Sequence, residues 1–424
     1  MLRCLIRGTS TSGRAVRRVK WLSTSSSASA ERPFDRPSLF ASGEDETEVR
    51  EAIRKLCAQF PNEYWRKLDK ESAYPTDFVR ALGEAGFLHA LIPTEYGGSG
   101  QSLNTACAIL EEIHAYGGNG GAAHAQMYML SSILRWGSKE QKEQYLPQFC
   151  ENKLRFQAFG ITESESGSDT LSLRTRATKR KDGSWAITGR KMWTSRALHS
   201  DLMLVLARTS DEGPKTKRLS TFLVDLNEAK AHGTVTINKI DASINHNTCE
   251  VFFDDTVIPG TQMLGREGEG FSVVLSVLNA ERVLIASECL GDGRFFVDRA
   301  TRHAKERTLF GKPIGQNQGV QFPLASAFVN LEAAAVATKA ASRLWESDPE
   351  RSGPACMAAK HLASEASWQC AETCMQISGG MAFAKSFDVE RKWREARLFR
   401  IAPISTNLIL AHVGEKVLGL PKSY

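Results

Sequence analysis

The spacing of apolar residues changes twice along the chain. From about residue 46 to residue 153, apolar positions recur at the period of a helix. From about residue 156 to residue 264, they alternate or form short runs between Gly, Asp and Pro turns, which predicts strands. From Gly270 onward the helical period returns. The pattern therefore predicts a small all-β domain inserted between two helical domains.

Individual elements can be placed within these segments. In the first segment, two buried helices are predicted from Leu103 to Ala115 and from Ala122 to Trp136. In the middle segment, the predicted strands cover residues 184–189, 202–206, 219–224, 234–237 and 250–253. In the last segment, long apolar-periodic stretches occupy residues 271–306, 320–346, 355–378 and 387–418. Stretches of this length are typical of an antiparallel helix bundle.

The composition is that of a globular protein with a distinct N-terminus. The chain has 424 residues, of which 42% are hydrophobic and 24% charged, and no apolar run approaches the length of a spanning helix. Residues 1–30 contain six basic residues, ten Ser or Thr residues and no acid. This composition predicts an organellar transit peptide, with a disordered basic tail as the alternative. Its removal would leave 48 basic and 48 acidic residues, so the formal charge of +6 lies in this segment.

Two common types of site are not predicted. The nine cysteines include no C-x-x-C pair, so neither a metal site nor a disulfide framework is expected. No G-x-G-x-x-G sequence occurs, which argues against a Rossmann dinucleotide site.

The polar stretch from Gly160 to Ser172 is the strongest candidate for a binding loop. An apolar run that includes Phe159 leads into it, so a strand is expected to open into a loop. Hydroxyl side chains and free backbone N–H groups in such a loop can hold phosphates or ring carbonyls. An ordinary solvated turn is the alternative interpretation.

This stretch resembles the flavin-binding signature of acyl-CoA dehydrogenases, and all nine specified positions match. The resemblance extends from about residue 45 to the C-terminus in the family's order and spacing. It implies an α+β fold with an N-terminal α-helical domain, a middle β-barrel or β-sandwich domain and a C-terminal four-helix bundle. We expect these domains at residues 45–155, 156–265 and 270–424, after a transit peptide at residues 1–30.

The resemblance implies a first group of residues around the ring of an FAD cofactor. Trp193 would cover one face of the flavin, and Ser195 would form a hydrogen bond near N5. Ser168 would lie near the pyrophosphate and the CoA arm of the substrate. The remaining members would line the isoalloxazine, and they are Phe159, Ile161 and Thr162.

A second group of residues resembles two further segments of the family, and the one that matches Arg307 to Gln318 reaches the FAD of a neighbouring subunit. Arg307 suits a pyrophosphate because its guanidinium is planar, forked and always charged. The glycines of the family's second signature let the backbone approach the cofactor. The members of the group are Arg307, Phe310, Gln318, Gln376, Gly379 and Gly380. A cofactor shared in this way implies a homo-oligomer, and the family analogy implies a tetramer.

The candidate catalytic base is Glu281. Many family members carry the base near the C-terminus, where this chain reads Ala402-Pro403-Ile404-Ser405 and has no glutamate. Isovaleryl-type and long-chain-type members supply it from an earlier helix as Glu-Arg, which matches Glu281-Arg282. The residues three and four positions away are all apolar, so the carboxylate is expected on the buried face of the helix. A structural ion pair is the alternative.

Two further residues flank the candidate base. The resemblance places Asn279 and Arg282 with the substrate, and Arg282 is expected either to be structural or to border the CoA entrance. His124 and residues 127–129 fall in a region that lines the acyl pocket in the family, with core packing as the alternative.

The expected activity is FAD-dependent desaturation of an acyl-CoA to a trans-2-enoyl-CoA, in fatty-acid or branched-chain acyl-CoA oxidation. The resemblance implies the mitochondrial matrix as the location and electron-transfer flavoprotein as the electron acceptor. One alternative is an acyl-CoA oxidase that uses O2. The other is a non-catalytic FAD- and CoA-binding assembly protein, because Pro403 lacks the N–H that would bind the thioester carbonyl. The acyl chain length does not follow from the sequence.

Overall fold

The computed structural model describes residues 39–40 and 46–422, so the predicted transit peptide lies outside the described part of the chain. The first domain of that part is helical, as the apolar period predicts. Its helices are α1 (Thr47–Cys57), α2 (Asn62–Glu71), α3 (Thr76–Glu84), α4 (Leu103–Ala115), α5 (Gly121–Trp136) and α6 (Lys139–Cys150).

Helices α4 and α5 form the centre of this domain. Helix α4 begins after Ser102, whose hydroxyl accepts a hydrogen bond from the backbone N–H of Thr105. Most residues of both helices are buried, because the two helices pack against the first long helix of the C-terminal domain. The two buried helices predicted from the sequence are confirmed, and α5 begins one residue earlier than expected.

The middle domain is built on one connected eight-stranded sheet. Its strands are β1 (Phe156–Gly160), β2 (Arg176–Lys179), β3 (Trp185–Ser195), β4 (Leu202–Arg208), β5 (Leu219–Asp225), β6 (Val235–Lys239), β7 (Thr248–Ile258) and β8 (Met263–Leu264). The order is β6-β7-β3-β2-β4-β5-β8, and β1 pairs with β4 in parallel. The sheet therefore links β1, which leads into the polar loop, to the long strand β3 through β4 and β2.

All five strands predicted in this domain are present, and the apolar pattern missed three short elements. Strands β2 and β8 escape it because each is short and contributes only one fully buried residue, Ala177 or Leu264. The third is helix α7 (Leu226–Ala231), which begins where the Asp225 carboxylate accepts hydrogen bonds from two backbone N–H groups.

The C-terminal domain consists of three long helices and two short ones in the described chain. They are α8 (Gly270–Glu306), α9 (Gln318–Ser347), α10 (Gly353–Ser378), α11 (Val389–Leu398) and α12 (Thr406–His412), with a hairpin of β9 (Thr308–Leu309) and β10 (Lys312–Pro313) after α8. The prediction of one continuous stretch over residues 387–418 was wrong, because the chain breaks between α11 and α12. Pro403 lies in this break, and the residue before a proline avoids the helical region.

Helix α9 exposes part of its apolar surface. Phe322, Val329 and Val336 are spaced by seven residues and lie on one side of the helix, each at least 49% exposed. By length and composition alone, α9 is the one helix of the described chain that could cross a membrane. A core helix of a soluble protein meets the same criterion, and α9 packs against both α8 and α10.

Candidate active site

Glu281 lies in the first half of α8 with its side chain turned into the protein. The residue is 7% exposed, so the predicted burial is confirmed. Its Oε2 atom finds no hydrogen-bond partner within residues 46–422. The Oε1 atom lies 3.9 Å from Nε2 of His124, which projects from α5. The structure therefore presents a buried carboxylate whose hydrogen-bonding capacity is not used by the fold.

Burial changes the acidity of this carboxylate. Loss of solvent raises the pKa of Glu281 to about 8, and the negative charge of Glu288 adds to the rise. Arg282 and Lys360 act in the opposite direction and reduce the shift. A carboxylate with a raised pKa binds a proton more tightly than a solvated one, so it is a stronger base.

The polar loop after β1 is anchored to β3 by a buried lysine. Nζ of Lys191 donates to the backbone oxygen of Ile161 at 3.1 Å and to Oε1 of Glu163 at 2.8 Å. The Glu163 carboxylate also accepts two backbone N–H groups, from residues 174 and 175. The glutamate of the signature sequence thus holds the loop in place, while Thr162 is half-buried and Ser168 is exposed.

A bulge in β3 turns Trp193 outward beside this loop. The register between β3 and β7 shifts between Lys191 and Thr194, and Trp193 has a positive φ of 58°. Its indole is 57% exposed. The backbone N–H of Met192 donates to the oxygen of Thr162 at 2.8 Å, so the bulge and the loop lie side by side. Ser195, the last residue of β3, is half-buried.

Apolar contacts connect the loop and Glu281. Phe159 and Ile161 pack in one apolar cluster with Leu278, which lies three residues before Glu281 on α8. The ring of Phe159 also lies 6.0 Å from the ring of Tyr128, next to His124 on α5. The structure therefore packs Phe159 and Ile161, two members of the first predicted group, against the same apolar cluster as the helix segment that carries Glu281.

The second predicted group lies at the other end of α8. Arg307 follows the last residue of that helix, about 39 Å from Glu281 along the helix axis. Gln376, Gly379 and Gly380 lie at the end of α10, where the neighbouring Cys374 contacts the last turns of α8. All six members are exposed, namely Arg307, Phe310, Gln318, Gln376, Gly379 and Gly380. A single chain does not bring these two groups together.

The remaining predicted substrate residues differ in exposure. Ser168 is exposed in the loop after β1, and Asn279 is half-buried on α8. Arg282 is only 2% exposed, and its Nη1 donates to Oδ1 of Asn279. The guanidinium of Arg282 therefore does not lie on the surface, as a residue bordering an open entrance would.

The sequence interpretation missed a buried group of charged residues behind Glu281. His114 on α4 contacts Glu288 at 3.2 Å and Asp292 at 2.8 Å, and Nζ of Lys392 lies 2.6 Å from Asp292. A signal was available, because residues 281, 288 and 292 lie on one face of a helix. The contribution of α4 and α11 was not visible in the local pattern.

Comparisons with known proteins agree with this architecture. Sequence models of the N-terminal, middle and C-terminal domains of acyl-CoA dehydrogenases match residues 43–153, 158–256 and 268–418. Acyl-CoA dehydrogenase FadE12 of Mycobacterium tuberculosis is 31% identical over 394 residues, which cover 91% of this chain and 99% of that protein. The mitochondrial short/branched chain specific acyl-CoA dehydrogenase of Bos taurus is 30% identical over 369 residues, which cover 87% of this chain and 84% of that protein. The structure of a glutaryl-coenzyme A dehydrogenase complex with glutaryl-CoA aligns with a TM-score of 0.82 at 28% identity, covering 90% of this chain and 98% of that one.

Helical, sheet and helical domains in this order, each matched by its own sequence model, define a flavin-dependent oxidoreductase. The chain belongs to the acyl-CoA dehydrogenase family, and the predicted fold is confirmed. FAD is the cofactor of this family, and the surface beside β3 fits it. The Trp193 indole offers an exposed aromatic face, and the buried Thr194 Oγ1 has no hydrogen-bond partner within residues 46–422.

Proposed function

We propose that the chain desaturates an acyl-CoA thioester to the trans-2-enoyl-CoA, with Glu281 as the base that removes the α-proton. The observation that carries this proposal is the buried carboxylate of Glu281, whose Oε2 has no hydrogen-bond partner within residues 46–422 and whose helix packs with Phe159 and Ile161 through Leu278. A buried carboxylate without a structural partner is costly, so a functional role accounts for it better than an ion pair.

The roles of the chain's own residues follow from their positions. Glu281 accepts the α-proton, and its raised pKa brings it closer to the weak acidity of a thioester. FAD bound against Trp193 would accept the β-hydride. Phe159 and Leu278 would keep water away from the reacting carbons, since they belong to one apolar cluster. Pro403 has no N–H, so other donors must stabilise the negative charge on the thioester oxygen.

Anaerobic bleaching of the flavin near 450 nm by a panel of acyl-CoAs tests this proposal and identifies the substrate. The panel covers short, medium, long, isovaleryl and other methyl-branched chains. Glu281→Gln with FAD bound should lose at least about a hundredfold in bleaching rate, because the base is removed. Glu306→Gln, an exposed carboxylate at the end of α8, is the matched control. An FAD-replete Glu281→Gln protein with normal bleaching would contradict the assignment.

We propose electron-transfer flavoprotein as the acceptor and the mitochondrial matrix as the location. The composition of residues 1–30 and the mitochondrial relative support the location.

Stoichiometric peroxide release during turnover would favour the oxidase instead. A purified protein that holds FAD and is bleached by none of the panel would favour the non-catalytic binding protein, for which Pro403 is the argument. Fractionation of cells that express the full chain tests the location, and N-terminal sequencing of the mature protein tests the cleavage.

A further inference from the structure

A buried histidine separates Glu281 from a second buried carboxylate. Nε2 of His124 lies 3.9 Å from Oε1 of Glu281, and Nδ1 of the same ring lies 3.4 Å from Oε2 of Glu288. Glu281 Oε2, His124 Nε2 and Glu288 Oε2 each lack a hydrogen-bond partner within residues 46–422. Buried polar atoms are usually paired, so three such atoms around one ring call for a role beyond packing.

The charges around the ring fix which nitrogen carries its proton. Burial lowers the pKa of His124 to about 4, so the ring is neutral at pH 7. Burial favours the protonated form of Glu288, but the positive charges of His114, whose pKa is raised to about 9, and of Arg196 outweigh it and hold the pKa of Glu288 below its usual value. A neutral imidazole beside an ionised carboxylate carries its proton on the nitrogen that faces the carboxylate. Nδ1 is therefore protonated, and the lone pair of Nε2 faces Glu281.

We propose that His124 and Glu288 form a proton relay that removes from Glu281 the proton that this base takes from the substrate. The inference rests on the proposed function, because it needs Glu281 as the base. The O–H bond of protonated Glu281 breaks, and an N–H bond forms at Nε2 of His124. The Nδ1 proton then passes to the carboxylate of Glu288. No electrons are exchanged, and Glu281 returns to the ionised form. Both gaps exceed hydrogen-bond length, so small side-chain rotations must shorten them during transfer.

The relay has a continuation beyond Glu288. The other oxygen of Glu288 lies 3.2 Å from Nε2 of His114. Glu288 also lines a cavity that it shares with Glu395. A neighbouring cavity of about 20 Å³, which is enough for a water molecule, shares Glu395 and reaches Asp69. The Asp69 side chain, which lines this second cavity, is 15% exposed. The proposed exit of the proton therefore runs along these two cavities.

The other charged groups near the His124 ring disfavour a lasting positive charge on it, so a proton that reaches the ring is passed on. Arg196 from the turn after β3 and His114 from α4 both disfavour a positive charge on His124. Tyr128, on the same helix as His124, is protonated because burial raises its pKa. His246, from the loop before β7, contacts Arg196 and is kept neutral because burial lowers its pKa. Lys360 and Arg282 act on Glu281 and favour its return to the ionised form.

Simultaneous recording of flavin absorbance and of a pH indicator tests the relay in the FAD-loaded protein. In the wild type, proton release should follow anaerobic bleaching without delay. In His124→Asn and Glu288→Gln, proton release should lag behind bleaching by at least about tenfold. His89→Asn, a histidine in the turn after α3, is the matched control. The inference would be overturned if proton release and bleaching had the same rate in both relay variants. It would also be overturned if bleaching slowed in these variants but proton release did not lag behind it.

A second measurement does not depend on turnover. The infrared band of the protonated Glu281 carboxyl is isolated as the difference between wild type and Glu281→Gln. After a rapid pH jump, this band should relax at least about tenfold more slowly in His124→Asn and Glu288→Gln than in the wild type or His89→Asn. Equal relaxation in all four proteins would overturn the relay. If no acyl-CoA bleaches the flavin but the relaxation differs as expected, the proposed function fails, and what remains is a path for protons between Glu281 and Glu288 without a role in turnover.

Discussion

At the scale of the residue, the surroundings of Glu281 disfavour the ionised form of its carboxylate. Its carboxylate is buried among apolar neighbours of α8, and Oε2 has no hydrogen-bond partner within residues 46–422. Natural interiors rarely hold such a group, because it destabilises the folded state unless it is protonated. A base must be poised between its two protonation states, so the same feature that costs stability provides reactivity.

The raised pKa of Glu281 predicts that the free energy of unfolding depends on pH. The folded pKa of Glu281, about 8, lies above its ordinary value of 4.5, so the folded state holds a proton that the unfolded state loses. Stability from this group is present below about pH 4.5 and is lost as the pH rises through about 8. Glu281→Gln should therefore be more stable than the wild type at alkaline pH, by on the order of a few kcal/mol. Urea unfolding at acidic and alkaline pH measures this difference, and an equal difference at both would contradict it.

At the scale of the element, the loop after β1 depends on strand β3. The buried ion pair of Lys191 and Glu163 fixes the loop, and the bulge at Trp193 lies directly alongside it. A short polar loop has no apolar core of its own, so these contacts to β3 determine its conformation. The predicted flavin surface is therefore formed by two elements that are distant in sequence and adjacent in the fold.

Removal of the lysine should disrupt this surface. Lys191→Ala leaves the Glu163 carboxylate buried without its cation, which should cost about 3–5 kcal/mol of stability and weaken FAD retention. Thermal unfolding and the flavin-to-protein absorbance ratio measure the two effects. Lys181→Ala, in the exposed turn before β3, should behave as the wild type. Unchanged FAD content in the Lys191 variant would show that the loop does not need this anchor.

The elements also show what a sequence can reveal. Helices α4 and α5 were predictable because their apolar residues follow a regular period over three or more turns. Strand β2 was not, since only Ala177 is buried and its partners come from elsewhere in the sheet. The break after α11 was missed because apolar residues continue on both sides of Pro403. The relay was missed because Glu288 and His124 meet only after α5 packs against α8.

At the scale of the whole molecule, the exposed apolar surfaces point to association. Phe322, Val329 and Val336 on α9 are largely exposed, and Phe310 in the hairpin after α8 is fully exposed. Large exposed apolar surfaces mark interfaces. The second predicted group of cofactor residues lies at this end of the bundle, far from the flavin surface of its own chain. We propose a homotetramer in which one subunit completes the FAD site of another, which would account for both observations.

A charge on α9 should dissociate this assembly. Val329→Asp places a carboxylate in the middle of the exposed apolar surface, where an interface would desolvate it. We expect smaller particles by light scattering and a lower FAD content. Val257→Asp makes the same change at an exposed valine of β7 and should leave the assembly intact. A Val329→Asp protein of unchanged mass and FAD content would exclude this surface as the interface.

The pH dependence of anaerobic flavin bleaching tests most directly whether Glu281 is the base. With the acyl-CoA that bleaches fastest, the rate should rise with pH and level off above about 8, because only the ionised carboxylate accepts the α-proton. In Glu281→Gln the residual rate should lose this dependence. A rate that is independent of pH in the wild type, or a rise near pH 8 that persists in Glu281→Gln, would contradict the assignment of Glu281 as the base.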